Sequence, residues 1–133
     1  MMSERPGHDD VPGRPQQLMV RRIPYRADLL VVTVAGEVDL RTAPVLAEAF
    51  DSDTIPVTVV DLTRVTFLSA AGLGVLVEQA ERAQTEHRHL GLVAQDRVAI
   101  RVLRSSGVAA AIPTFDSLSD AMRELGARAS DQP

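Results

Sequence analysis

The stretch "DLTRVTFLSAAGLGVLV", Asp61–Val77, decides how this chain is read. It begins as a β-rich apolar run and ends with helical spacing, so it predicts a buried strand, a short turn and a helix start. Ser69 stands where an N-cap belongs, with its oxygen free to meet a backbone N–H of the first turn. Ala70 and Ala71 follow, then Gly72 and Gly74. Glycine inside a helix costs about 1 kcal/mol relative to alanine. Two of them in two turns therefore need a reason. One is close packing of helix on sheet. The other is a bare backbone open to a partner or an anion at the helix N-terminus.

Outward from that stretch the chain alternates. "LMVRRIPY", 18–25, and "LLVVTVAGEVDL", 29–40, flank a polar turn and predict an antiparallel pair. The second run is apolar from Leu29 to Ala35, as a central strand covered on both faces would be. Thr42 reads as an N-cap with Pro44 in the first turn, and Leu46, Ala49 and Phe50 make one apolar stripe. "VTVVDL", 57–62, is the next buried strand, followed by the helix from about Ala70 to Glu86. "LGLVA", 90–94, is a strand. "RVAIRVLRSSG", 97–107, is a helix closed by Gly107. "AIPTF", 111–115, is an edge strand interrupted by Pro113. Ser117 with Asp120 starts a last helix that Gly126 ends. The order β-β-α-β-α-β-α-β-α predicts an α/β domain with about five strands and about four helices. Its sheet is mixed and mostly parallel, with an antiparallel hairpin at the N-terminal side. Residues 18–128 are assigned to this domain. Residues 1–17, with three prolines and two glycines, are expected to form a flexible tail, and 129–133 a flexible C-terminus.

Composition narrows the function classes. The chain of 133 residues fits one domain. It has no cysteine, hence neither a disulfide frame nor a thiol nucleophile. The net charge of −4, the mixed charges and the scarcity of aromatics argue against nucleic-acid binding. No apolar run reaches the roughly 18 residues of a membrane span. The N-terminus lacks a signal-peptide core, and a cytoplasmic location is expected. His8 lies in the tail, and His87 and His89, at i and i+2 in a polar loop, read as a solvated connection rather than a three- or four-ligand metal set. No serine sits in a G-x-S-x-G elbow. Gly72-Leu73-Gly74 lacks the third small residue of a dinucleotide fingerprint, having Val77 there. No acid, base and nucleophile converge, so the chain is expected not to be an enzyme and to need no cofactor.

Three segments in order, "VAGEVDLRTAPVLAEAF", "VVDLTRVTFLSAAGLGVLV" and "RVLRSSGVAAAIPTFDSLSDAM", resemble STAS domains, and more narrowly the bacterial anti-sigma factor antagonists, or anti-anti-sigma factors. The resemblance spans about residues 18–126. It implies binding to an anti-sigma factor, often a GHKL-type serine kinase, which frees a sigma factor for transcription. In the family that kinase phosphorylates a serine in a D-S-[ST]-G-L motif and so ends the interaction. Carried across, the motif's Asp falls on Ser69, its phosphorylated Ser on Ala70 and the next Ser or Thr on Ala71, while Gly72 and Leu73 match. Alanine has no hydroxyl. Ser69 lies one place early, and capping occupies its oxygen. Asp39 of "GEVDLRT" corresponds to a partner-contacting acid. Its other reading is a turn acid that orders the next helix. The partner-binding set implied is therefore Asp39, Ser69, Ala70, Ala71, Gly72 and Leu73. Alternatives are a STAS subunit of a transporter-associated or stressosome-like complex, and a small-ligand α/β domain.

Overall fold

The computed structural model describes residues 18–50 and 55–130. A five-stranded sheet, in the spatial order β1-β2-β3-β4-β5, forms the centre. Its strands are β1 Met19–Arg26, β2 Leu29–Val38, β3 Val57–Leu68, β4 His89–Val93 and β5 Thr114–Phe115. Only β1 is antiparallel to its neighbour; β2 to β5 run parallel. Helices α1 Ala43–Glu48, α2 Ala70–Thr85, α3 Arg97–Ser105, α4 Val108–Ala111 and α5 Leu118–Ser130 fill the connections. The mixed α/β sheet inferred from the sequence is thus the one observed. The flexible tail expected over 1–17 lies outside the described residues, as do 131–133.

Side-chain alternation along the strands splits the core in two. On one face Leu30, Val32, Val34, Val60 and Leu62 pack with Leu46 of α1, Leu76 of α2, Leu103 of α3 and Val108 of α4. On the other, Leu29, Val31, Val57, Val59 and Val93 pack with Ala121 and Leu125 of α5. Among the described residues one helix therefore covers one face alone. β2 is covered on both sides at Leu29 to Val32, which is why that run reads as continuously apolar.

Three elements differ from the sequence reading. β3 runs to Leu68 with no turn between Asp61 and Ser69, because its C-terminal half pairs with the end of β2, up to Val38 opposite Leu68. Shifts in register after Thr33 and after Gly36 absorb the extra residues of β3. Asp61 accordingly sits within the strand, where its Oδ1 accepts the Thr63 N–H at 3.0 Å. Secondly, Gly107 takes the expected left-handed conformation, φ +88°, but it joins α3 to the short α4 rather than leading to a strand, so there are five helices and not four. Thirdly, α5 passes through Gly126 to Ser130, so residues 129 and 130 are helical; Ala129 packs against the α5 core. Ser117 caps it as read, its Oγ accepting the Asp120 N–H at 3.1 Å.

Because α5 alone shields its face of the sheet, Leu125→Ala should cost about 2–5 kcal/mol. Urea denaturation should show a lowered midpoint with a preserved two-state transition.

Candidate functional site

The strands β2, β3 and β4 are parallel neighbours; β2 and β3 end together, with Val38 opposite Leu68, while β4 stops opposite Asp61. The β2–α1 turn and the start of α2 emerge together at the joint end of β2 and β3. This is the usual position for a site on an open α/β sheet.

The start of α2 is fixed to the end of β2. The Ser69 N–H donates to the Val38 carbonyl at 2.9 Å. Ser69 has extended backbone, and its Oγ accepts the Gly72 N–H at 3.3 Å, as an N-cap should. A Cβ added to Gly72 would lie 2.5 Å from Val38 Cγ1 and 2.8 Å from Leu68 Cδ1. Glycine is thus required there by close packing of helix on sheet. Gly74 is different. A Cβ there would meet nothing within 4 Å, and the residue is exposed. The two glycines thus have separate explanations, and no steric contact accounts for the second.

The β2–α1 turn is held by its own side chains. Asp39 Oδ1 accepts the N–H groups of Arg41 and Thr42, each at 2.9 Å. The Asp39 N–H donates to Thr42 Oγ1 at 2.9 Å. The Thr42 hydroxyl lies 2.8 Å from the Glu37 carbonyl and 3.1 Å from Asp39 Oδ1, and its proton serves one of them at a time. Thr42 therefore occupies the cap position of α1 without capping it. Its side chain turns back to close the loop, and Asp39 takes over the ordering. The Thr42 backbone N–H, foremost, holds the Asp39 carboxyl below its ordinary value; desolvation, the next largest effect, opposes it, and the Thr42 hydroxyl and Arg41 add to the lowering.

The sequence-predicted residues are brought together at this edge, but unequally exposed. Ala70 is exposed; Asp39, Ser69, Ala71 and Leu73 are half-buried; Gly72 is buried. Leu73 leans on the core beneath the helix. The residue that sequence reasoning missed is Leu40. It is 82% exposed, the highest value among the large exposed apolar side chains described. The Asp39–Thr42 lock carries it out at the tip of the turn. Its signal was a leucine between Asp39 and Arg41, directly after a strand had ended. Phe67, near the end of β3, is also exposed here. The arrangement offers a helix start flanked by apolar tips. Among the described residues Ser69 Oγ has one hydrogen-bond partner, the Gly72 N–H, and no groups of His, Cys, Asp or Glu could hold a metal.

The family follows from comparison with known proteins. Residues 21–121 match the model of the STAS domain, so the chain belongs to the STAS family. It is 33% identical over 95 residues to the anti-sigma-F factor antagonist RsfB of Mycobacterium tuberculosis, covering 69% of this chain and 77% of that one. The crystal structure of an anti-sigma factor antagonist from Mycobacterium paratuberculosis superposes with a TM-score of 0.75 at 29% identity, over 83% of this chain and 95% of that one. The murine Solute Carrier 26 family member A9 anion transporter shares the fold at 17% identity and a TM-score of 0.66, over 77% of this chain and 18% of the transporter. That last likeness is one of fold alone. No helix among the described residues is long and apolar enough to cross a membrane.

Two predictions follow from the geometry. Gly72→Ala should destabilise by about 1–3 kcal/mol through overpacking against Val38 and Leu68, whereas Gly74→Ala should stabilise by about 1 kcal/mol through helix propensity. Thermal melts of the pair should move in opposite directions. The lowered pKa of Asp39 means that its ionised form favours the fold. That contribution is complete above the ordinary aspartate value of about 4 and is lost as pH falls through the folded value. Wild type should therefore melt above Asp39→Asn at neutral pH, and the gap should close on acidification.

Proposed function

We propose that this chain is an anti-sigma factor antagonist that binds an anti-sigma factor of the GHKL serine-kinase type, and that it lacks the usual phosphate switch. The observation that carries the reading is the exposed start of α2, with Ala70 at the phosphoacceptor position and Leu40 projecting beside it. The mycobacterial relatives named above support the same class.

The physics of the switch is simple. Phosphate on a helix N-terminus adds nearly two negative charges and three strong acceptors. The helix dipole tolerates them, but a desolvated apolar contact does not. With a methyl group at position 70 there is no oxygen to accept the phosphoryl group. Ser69 has its Oγ engaged with the Gly72 N–H. The protein then stays competent to bind whatever the kinase activity. Ala70, Ala71 and Leu40 supply the contact; Asp39 and Ser69 shape it; Gly72 lets α2 lie close to the sheet. The protein acts by binding in the cytoplasm and catalyses no reaction.

The test uses the anti-sigma kinase that the chain captures. Incubated with kinase and ATP, wild type should keep its mass, and Ala70→Ser should gain one phosphate; a phosphate on the wild-type Ser69 segment overturns the reading. Leu40→Asp should weaken the complex by about thirtyfold or more, the size of a hot-spot loss, in calorimetric titration. Its melting temperature should be unchanged, since Leu40 buries almost nothing in the free protein.

A further inference from the structure

α3 carries a feature that the family reading does not use. Arg97, Arg101 and Arg104 recur at i, i+4 and i+7 and are all exposed, so they form one row. The row runs about 10 Å along the helix axis. Together with Ile100 and Ser105 these arginines line an open surface groove of about 600 Å³. Among the described residues none of the three has an ion-pair or hydrogen-bonded partner through its side chain. Asp116 borders a second cleft with Arg104 but makes no ion pair with it. Asp96 turns its carboxylate to the Val98 and Ala99 N–H groups, at 3.0 and 3.1 Å.

The first two members of this row work against the helix that bears them, whereas Arg104, in the last turn, suits the dipole. Arg97 is a cation in the first turn, where the dipole favours an anion. Arg97 and Arg101 are like charges at i, i+4, which repel. α3 holds no acid to offset them, and the whole chain is otherwise acidic at net −4. Asp96 satisfies the helix start, yet nothing among the described residues pairs with Arg97 or Arg101, and like charges kept side by side mark a place that serves something other than the fold. Beside the row, Val98 is 65% exposed and Ile100 half-buried, so cation and apolar surface lie together.

We infer that the arginine row of α3, with Val98 and Ile100, docks an acidic amphipathic segment of a protein partner. Charge complementarity selects the acid, and the adjoining apolar side chains select a peptide. A single row of three arginines falls short of the polybasic clusters of about four to eight that hold a protein to an anionic bilayer. Nucleic acid would want aromatic stacking platforms, and α3 has none. α3 follows β4, which stops opposite Asp61, seven residues before α2 begins after Leu68, so the row lies apart from the surface assigned above to the anti-sigma factor and shares none of its residues.

The experiment titrates the full chain against a fluorescent Glu- and Leu-rich amphipathic peptide, with its Gln-for-Glu counterpart as control, by anisotropy. Wild type should bind the acidic peptide saturably and the control weakly, and added salt should weaken the complex. Arg97→Glu with Arg101→Glu should lower the affinity by roughly tenfold or more, as reversal of interfacial charges does. The melting temperature should hold or rise, since Glu suits the first turn. The milder Arg101→Gln with Arg104→Gln should lower affinity by about threefold without introducing repulsion. Absence of peptide binding, binding that survives both variants, or tighter engagement of the row by phosphatidylglycerol vesicles or a single-stranded oligonucleotide would overturn the inference. The probe is not the anti-sigma factor, so the result stands apart from whether that protein binds.

Discussion

The end of β2 governs this molecule. Val38 uses its carbonyl to receive Ser69 and its side chain to meet the backbone face of Gly72. Both contacts act on the first turn of α2. They set where the helix begins and how near the sheet it lies. A side chain at position 72 would lift the helix away, and Leu76, which is fully buried one turn later, would leave its place in the core. The long pairing of β2 with β3 brings the strand end close enough for this seam to form.

The same strand end controls the other half of the edge. Immediately after Val38, Asp39 and Thr42 exchange hydrogen bonds that close the turn onto itself. With the polar groups satisfied inside the turn, the residue at its tip has no internal partner to seek. Leu40 therefore faces water, at a cost that a merely structural turn would avoid with a polar residue. One carboxylate both orders the start of α1 and holds an apolar side chain beside α2. The two readings of Asp39, turn acid and interface acid, are thus compatible. The structure displays the first, and the second is the proposal.

Much was legible because it is local or periodic. The strand and helix alternation, the antiparallel start, the Ser69 and Ser117 caps and the left-handed Gly107 are short-range consequences of residue type. The elements that were misread depend on partners far along the chain. Residues 63–68 look like a turn region until β2 is seen to extend opposite them. α4 is only four residues long, too short to show a period. α5 tolerates Gly126 in its interior because Leu125 and Ala121 are anchored on the sheet.

By itself the sequence determined the order of elements, the apolar core positions and the absence of a hydroxyl at position 70, since these depend on composition and spacing alone. Tertiary structure decided what each exposed or glycine residue is for. Only the approach of Val38 separates Gly72, which packing demands, from Gly74, which it does not. Only the folded structure shows that Leu40 points outward and that the arginines of α3 stand without partners among the described residues. The reason is physical: burial and pairing are properties of neighbours brought together by the sheet, and a linear chain does not state who those neighbours are.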